Sequence, residues 1–167
     1  MIDCFLSLGS NMGNKLENIS NAIRFIELSQ ENSFLSKSEI YESRAMYNTS
    51  LENFYNAVIK IKTDLSPMEL LVFVKDIEKQ MGRLKTTERY SERPIDIDIL
   101  SYGDKIIDSK ELTIPHPHIK ERKFVLKPWS DIDSNYILAR SNKKISELLK
   151  DFQKSKELRK SNIQGKE

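Results

Sequence analysis

Apolar and polar residues alternate along several stretches of the chain, which predicts β-strands because alternate side chains of a strand point to opposite faces. The first such stretch, over residues 2–8, has its apolar face at Ile2, Cys4, Leu6 and Leu8. Residues 95–99 alternate isoleucine with aspartate, and residues 54–63 are a further predicted strand. A weaker extended stretch covers about residues 34–42. These four stretches are the expected strands of a sheet.

Two helices are predicted where apolar residues recur at a spacing of three or four. The first carries Leu16, Ile19, Ile23 and Ile26. The second begins at residues 66–69, where a capping serine is followed by a first-turn proline and, three residues after the cap, by a glutamate. Its buried positions are Leu70, Val74, Ile77 and Met81, and Gly82 is placed to end it.

The order of these elements is β-α-β-β-α-β, which predicts an α+β fold. The expected architecture is a ferredoxin-like sandwich, in which helices cover one face of an antiparallel sheet. A turn at residues 102–104 is expected to lead the acidic strand into a short partner strand over residues 105–107.

Additional C-terminal elements follow this sandwich in the sequence. Residues 112–118 are extended and bounded by prolines, and short helices are expected near residues 119–126 and 145–152. We find no internal repeat and no linker between domains. Residues 1–153 are therefore expected to form one domain, followed by a frayed polar tail over residues 154–167.

Charge and cysteine content exclude several classes of protein. With 27 Lys and Arg against 25 Asp and Glu in 167 residues, the chain lacks the broad positive charge of a nucleic-acid-binding surface. Cys4 is the single cysteine, which excludes an internal disulfide framework and a cysteine-based zinc site. The N-terminal segment resembles neither a signal peptide nor a membrane span, so a cytoplasmic protein is expected.

The acidic strand is the most informative feature for function. Asp96 and Asp98 lie on one face of it, where like charges repel each other and where aspartate is disfavoured. Arg83, Arg89 and Arg93 lie within fifteen residues of these acids. Mg²⁺ is typically held by one or two carboxylates together with substrate phosphates. The pattern therefore favours a metal-assisted phosphate site, and the alternative is a solvated strand face with no such role.

Polar residues dominate the loop over residues 83–94, which carries Arg83, Lys85, Arg89 and Arg93. We expect this loop to close over bound phosphates and to exclude water. The alternative is a basic loop that takes no part in catalysis.

Two other stretches are candidates for ligand binding. His116 and His118 form a pair without a third nitrogen or sulfur ligand nearby, and His116 is the better candidate for a phosphate contact because prolines fix its backbone. Phe54 and Asn56 share one face of their strand. An aromatic ring beside an amide suits a flat heteroaromatic ligand, although the pair is equally compatible with core packing.

Together these residues resemble the 6-hydroxymethyl-7,8-dihydropterin pyrophosphokinase family. The most specific motif is Arg-x-x-Asp-Ile-Asp-Ile-Leu at residues 93–100. Supporting motifs are Leu-Gly-Ser-Asn at residues 8–11, Phe-Tyr-Asn-Ala at residues 54–57, and Leu-Thr-Ile-Pro-His at residues 112–116. Further matches are Ile77, Glu78, Gly82, Arg83, Arg122 and Phe124. The resemblance extends over almost the whole chain, to about Trp129.

The resemblance implies transfer of the terminal pyrophosphoryl group of ATP to the hydroxymethyl oxygen of the pterin, with release of AMP. It implies that Asp96 and Asp98 bind two Mg²⁺ ions, which bridge the phosphates of ATP and the attacking hydroxyl. Arg83 and Arg93 are then the phosphate-neutralising arginines of the catalytic set, which also includes His116.

The contacts with ATP, the co-substrate, follow from the same resemblance. The residues expected to bind it are Leu71, Lys85, Arg89, Ile99, Leu112, Thr113, His116 and Arg122. Of these, the three aliphatic side chains would lie against adenine, and the main chain of Ile99 and Thr113 would bond to it. The charged residues and the histidine would face the triphosphate.

The contacts with the pterin are likewise implied by the resemblance. Phe54 and Phe124 would sandwich the ring, and Asn56 would read its hydrogen-bonding edge. Ala45 and Met46 would contact it from the loop over residues 43–53, where this chain departs from the Thr-Pro-rich stretch usual in the family.

Two other functions are compatible with parts of the pattern. An RNA-binding module can have the same order of strands and helices, but the expected basic and aromatic signature is missing here. A metal-dependent phosphohydrolase would release phosphate from ATP without any pterin. The expected partners are therefore small-molecule substrates, with no nucleic acid, no membrane and no obligate protein partner.

Overall fold

The computed structural model describes residues 1–44, 52–82 and 93–164, with side chains up to residue 156. The first half comprises β1 (Ile2–Ser10), α1 (Lys15–Leu28), β2 (Asn32–Lys37), β3 (Tyr41–Ser43), β4 (Phe54–Thr63), α2 (Pro67–Gln80) and β5 (Asp96–Tyr102). The second half comprises β6 (Ile107–Asp108), β7 (Thr113–Ile114), a 3-10 turn (Ile119–Glu121), α3 (Lys123–Asp133), β8 (Ile137–Leu138), β9 (Lys143–Lys144) and α4 (Ile145–Gln164).

The central antiparallel sheet has the strand order β2-β4-β1-β5, and β3 pairs with the first residues of β4. The first strand of the sequence is thus inside the sheet, between β4 and β5. This is the order of a ferredoxin-like sandwich, so the predicted α+β class is confirmed.

Local signals begin and end α2 where the sequence predicts, and a side-chain cap also begins α1. The Ser66 hydroxyl accepts the Glu69 N–H at 3.2 Å, and the Glu69 carboxylate accepts the Ser66 N–H at 2.8 Å. Gly82 follows α2 with a φ of +93°, a conformation that glycine adopts without strain. Asn14 caps α1 by accepting the Glu17 N–H at 3.1 Å.

The two faces of the sheet bury different apolar clusters. Cys4, Leu6 and Leu8 of β1 point to the face that α1 and α2 cover. Phe5 of the same strand points to the other face, which α3 and α4 cover around the fully buried Trp129. The helices of the predicted sandwich thus cover one face, and the additional C-terminal helices cover the other.

The predicted partner of the acidic strand is also wrong. β6 pairs with β7, with Ile107 opposite Ile114, whereas β5 pairs with β1. The turn after β5 is tied back to β1, since the Gly103 N–H donates to the Asp3 carbonyl at 2.8 Å. The following residues therefore lead to β6 rather than back along β5.

The C-terminal helices extend beyond the ends that their apolar patterns predict. α3 continues to Asp133, and α4 continues to Gln164, so the polar tail is helical up to that residue. Lysine, glutamate and leucine, which occur in this part of the tail, are good helix formers even without an apolar face. The boundary at residue 153 stays a prediction. In α1, Leu16 is 53% exposed and does not belong to the buried stripe.

Candidate active site

The candidate site lies where β4, β1 and β5 run side by side. Gly9 of β1 is the register partner of both Asn56 on β4 and Asp96 on β5, and Ser7 is the partner of Asp98. Residues opposite each other in a sheet present their side chains on the same face. The amide and the two carboxylates therefore share one face, and the glycine leaves the space between them without a side chain.

Each aspartate of the site is paired with an arginine. Arg93 Nη1 lies 3.4 Å from Asp96 Oδ1, and Arg122 Nη1 lies 3.9 Å from Asp98 Oδ2. Burial, followed by the negative charge of Asp96, raises the pKa of Asp98 from 3.8 to about 7, while Lys75 and Arg122 oppose this rise. The site thus favours additional positive charge beside its carboxylates.

This arrangement fits a magnesium ion. Asp96 and Asp98 are 26% and 27% exposed, so both carboxylates can be reached from the solvent side of the strand. The described residues contain no group of three or more His, Cys, Asp or Glu side chains that could hold a metal. The remaining ligands would come from water or substrate phosphates, which is the usual coordination of Mg²⁺ at nucleotide sites.

Two half-buried phenylalanine rings border the acidic site, each near one of these arginines. The guanidinium carbon of Arg93 lies 5.9 Å from the centre of the Phe54 ring, and that of Arg122 lies 5.8 Å from the Phe124 ring. Each arginine therefore links one aromatic ring to one aspartate.

The amide of Asn56 has a fixed orientation in the structure. Its Nδ2 donates to the Ser43 hydroxyl at 2.7 Å and to the Tyr41 carbonyl at 3.3 Å. Its Oδ1 lies over Gly9, 3.4 Å from the position that a Cβ there would take. The amide therefore presents an acceptor to the space above the glycine.

His116 lies next to β5, because its N–H donates to the Leu100 carbonyl at 3.0 Å. Burial, followed by the charges of Arg122 and His118, lowers the pKa of His116 from 6.5 to about 4. Its Nδ1 accepts the His118 N–H at 3.2 Å, so the proton of the neutral ring is on Nε2. His116 can donate one hydrogen bond at neutral pH but brings no charge.

The residues predicted to contact adenine lie on the opposite face of β5 or beside it. Ile99 and Leu112 are 4% and 7% exposed, and Leu71 packs partly buried against the same cluster. Thr113 begins β7, opposite Asp108. The structure therefore brings the three aliphatic residues into one cluster, and their contact with adenine stays a prediction.

Glu78 is a residue of this region to which the sequence reasoning gave no role. It is 3% exposed, and its Oε1 accepts the Ile97 N–H at 2.8 Å and lies 3.3 Å from Lys75 Nζ. The hydrogen bond from Ile97 fixes β5 at a residue between the two aspartates, on the edge of the strand that faces away from β1. The signal was available, because Glu78 follows Val74 by four residues and thus lies on the buried face of α2.

Five predicted site residues lie outside the described residues. They are Arg83, Lys85 and Arg89 of the basic loop and Ala45 and Met46 of the loop before β4. Their roles, and the closing motion expected of the basic loop, stay predictions.

Comparison with known proteins identifies the family of this chain. The family model of 7,8-dihydro-6-hydroxymethylpterin-pyrophosphokinase (HPPK) matches residues 5–134. The 2-amino-4-hydroxy-6-hydroxymethyldihydropteridine pyrophosphokinase of Haemophilus influenzae is 37% identical over 91% of this chain and 94% of that protein. The corresponding enzyme of Aquifex aeolicus is 41% identical over 82% of this chain and 84% of its own length. The chain belongs to the HPPK family of pyrophosphokinases of folate biosynthesis, as its motifs predicted.

Some relatives are much longer than this chain. The folic acid synthesis protein fol1 of Pneumocystis carinii is 44% identical over 80% of this chain, which spans about a fifth of that relative (18%). A crystal structure of Plasmodium falciparum HPPK-DHPS with pteroate has a TM-score of 0.72 at 18% identity, over 90% of this chain and 42% of that one. This second similarity concerns the fold. Within the described residues, none of the helices is long and apolar enough to cross a membrane.

Proposed function

We propose that this chain transfers the terminal pyrophosphoryl group of ATP to 6-hydroxymethyl-7,8-dihydropterin and releases AMP. The hydroxymethyl oxygen attacks the β-phosphorus, the bond from this phosphorus to the oxygen bridging the α-phosphorus breaks, and the hydroxyl proton passes to solvent. Family membership supports the reaction class. The observation that carries the proposal is the row of three strands in which Gly9 separates the amide of Asn56 from the carboxylate of Asp96.

This row suits a pterin lying across β1. Neighbouring strands are about 4.8 Å apart, so the main chains of Asn56 and Asp96 are separated by about 10 Å. That distance is close to the long dimension of a pterin with its hydroxymethyl arm. The Asn56 Oδ1 would accept from the amino or ring N–H groups, and Phe54 and Phe124 would stack on the ring.

The hydroxymethyl end of such a pterin would lie at the acidic strand. Asp96 and Asp98 would hold two Mg²⁺ ions, whose charge would stabilise the phosphates and the attacking hydroxyl. Arg93 and Arg122 lie beside these carboxylates and would neutralise phosphate oxygens once ATP is bound. The neutral His116 would donate to a phosphate from its Nε2.

Adenine would lie along the edge of β5 that faces away from β1. The Ile97 N–H on this edge is bonded to Glu78. N–H groups of alternate strand residues point to the same edge, so the Ile99 N–H would donate to an adenine acceptor there. Leu71 and Leu112 would cover the base, and Thr113 would supply a second main-chain bond.

The remaining parts of the proposal concern residues outside those described. Arg83, Lys85 and Arg89 would contact the phosphates, and Ala45 and Met46 the pterin. The proposed partners are these small-molecule substrates, without nucleic acid, membrane or an obligate protein partner, and the proposed location is the cytoplasm.

Separation of the nucleotide products tests this function. Incubation with ATP, Mg²⁺ and 6-hydroxymethyl-7,8-dihydropterin should form AMP, and omission of the pterin should leave ATP intact. Asp96→Ala should lower the rate about a thousandfold or more, because metal binding contributes several kcal/mol to such a transition state. ADP or phosphate formed without pterin would instead support a phosphohydrolase. Tight, salt-sensitive binding of single-stranded RNA would support the RNA-binding alternative.

A further inference from the structure

Asn11 holds the backbone of Arg93 at both of its polar groups. The Asn11 Oδ1 accepts the Arg93 N–H at 2.6 Å, and the Asn11 N–H donates to the Arg93 carbonyl at 3.2 Å. Asn11 directly follows β1 and is fully buried. Asn11, at the end of the central strand β1, thus fixes the backbone of a residue just before β5.

The position of Pro94 explains why a side chain is needed at this point. The regular pairing of β1 with β5 ends at Gly9 and Asp96. Proline has no N–H to donate, so a strand ladder is interrupted where it occurs. The Asn11 side chain and N–H restore two bonds beyond this interruption, and they do so at Arg93.

The chemistry of the Asn11 side chain fits this task. Its Nδ2 is buried without a hydrogen-bond partner among the described residues, which costs stability. Alanine would avoid that cost but would lose the acceptor for the Arg93 N–H. Aspartate would keep the acceptor but would add a negative charge near Asp96 and Asp98.

The guanidinium of Arg93 extends from this bonded backbone. It lies between the Asp96 carboxylate, at 3.4 Å, and the Phe54 ring, at 5.9 Å. We propose that Asn11 is a positioning residue, which fixes the Arg93 backbone so that its guanidinium points to the phosphates next to the pterin. This inference rests on the proposed function, in which Arg93 neutralises those phosphates.

A double-mutant cycle of kcat tests the inference. Asn11→Ala should lower kcat about tenfold to a hundredfold with a smaller change in the KM for pterin, because misplacement by about 1 Å can cost a hundredfold in rate. If Asn11 acts through Arg93, the same substitution in an Arg93→Ala background should lower kcat by less than about threefold. Equal losses in the two backgrounds would overturn the inference.

Asn32→Ala is the matched control. Asn32 is also a buried asparagine, 5% exposed, and its Oδ1 likewise lacks a partner among the described residues. It begins β2 and pairs with Thr63, which also pairs with Ile2 at the start of β1. Gly9 and the candidate site lie at the other end of β1. This variant should lose thermal stability while its kcat stays within about twofold of the wild type. A loss of kcat equal to that of Asn11→Ala would mean that any buried asparagine has this effect, and would overturn the inference.

Amide hydrogen exchange of ligand-free protein gives a readout that needs no activity. The Arg93 N–H should exchange at least about tenfold faster in Asn11→Ala than in the wild type, and Asn11→Asp, which keeps the acceptor, should restore the slow rate. Should Asn11→Ala not fold, Asn11→Ser replaces it, because its hydroxyl is too short to reach Arg93. Unchanged exchange in these variants would overturn the inference. A wild-type protein that forms no AMP would contradict the proposed function, whereas the exchange result would stand.

Discussion

Replacing Asp98 by Asn should stabilise the ligand-free protein while it removes turnover. Burial and the neighbouring Asp96 raise the pKa of Asp98 to about 7, so the fold disfavours its ionised form. The stability that its protonated form contributes is present at low pH and is lost as the pH rises through this folded-state pKa. At pH 8 the wild type therefore carries the full cost of the ionised group, which Asn removes.

The repulsion between the two carboxylates gives the order of magnitude of this effect, and burial adds to it. Neighbouring residues on one strand face are about 6.5–7 Å apart, and two charges at that distance repel by about 2.5 kcal/mol at an effective dielectric constant of about 20. Loss of the pair with Arg122, whose nitrogen lies 3.9 Å from Asp98, subtracts about 0–1 kcal/mol. The net gain of about 1.5–2.5 kcal/mol should raise Tm by about 3–10 °C for a domain of this size.

Thermal denaturation in a metal chelator measures this gain at pH 8 and at pH 5. The gain should shrink at pH 5, because the wild-type Asp98 is then largely protonated. Asp3→Asn is the control of opposite sign, since Asp3 lies 3.7 Å from Lys60 and 3.9 Å from Lys62 and should lose favourable pairs. Added Mg²⁺ should raise the Tm of the wild type more than that of Asp98→Asn. A lower Tm for Asp98→Asn at pH 8, or an equal gain at both pH values, would refute this reasoning.

Three further results are expected. Phe54→Ala and Phe124→Ala should weaken pterin binding about fivefold to a hundredfold and ATP binding far less, since stacking is worth about 1–3 kcal/mol; calorimetric titration that finds equal losses for both ligands would indicate damaged packing instead. Glu78→Ala should lower the free energy of unfolding by about 1–3 kcal/mol because the Ile97 N–H is left unpaired, and Glu78→Gln should recover most of it in urea denaturation; an alanine variant as stable as the wild type would contradict this. Chelation of Mg²⁺ should stop AMP formation without a change in the far-UV circular dichroism spectrum, and an undiminished rate would exclude the metal assignment.

Strands and helices with a clear apolar period could be predicted from the sequence. The alternation of residues 95–99 identified β5, and the serine, proline and glutamate at residues 66–69 identified the start of α2. The helical tail after residue 152 could not be identified in this way, because a helix that is polar on every side has no such period. The predicted partner strand of β5 was wrong, because a turn sequence does not show that β5 pairs with β1.

The same distinction between periodic and long-range features applies to the candidate site. The grouping of Asp96 with Asp98, and of Phe54 with Asn56, on one strand face could be predicted from the alternation of side chains along a strand. The bond between Asn11 and the Arg93 backbone, 82 residues away, could not, because only the register of β1 and β5 brings these residues together. Long-range hydrogen bonds of this kind leave no periodic signal in the sequence.

Phosphorus NMR of the complete reaction measures directly which group is transferred. With ATP, Mg²⁺ and 6-hydroxymethyl-7,8-dihydropterin, AMP and a pterin diphosphate ester should form in equal amounts. The ester should give two coupled phosphorus signals, and neither should form when the pterin is omitted. A pterin monophosphate with ADP, or free phosphate or pyrophosphate in place of the ester, would contradict pyrophosphoryl transfer to the pterin.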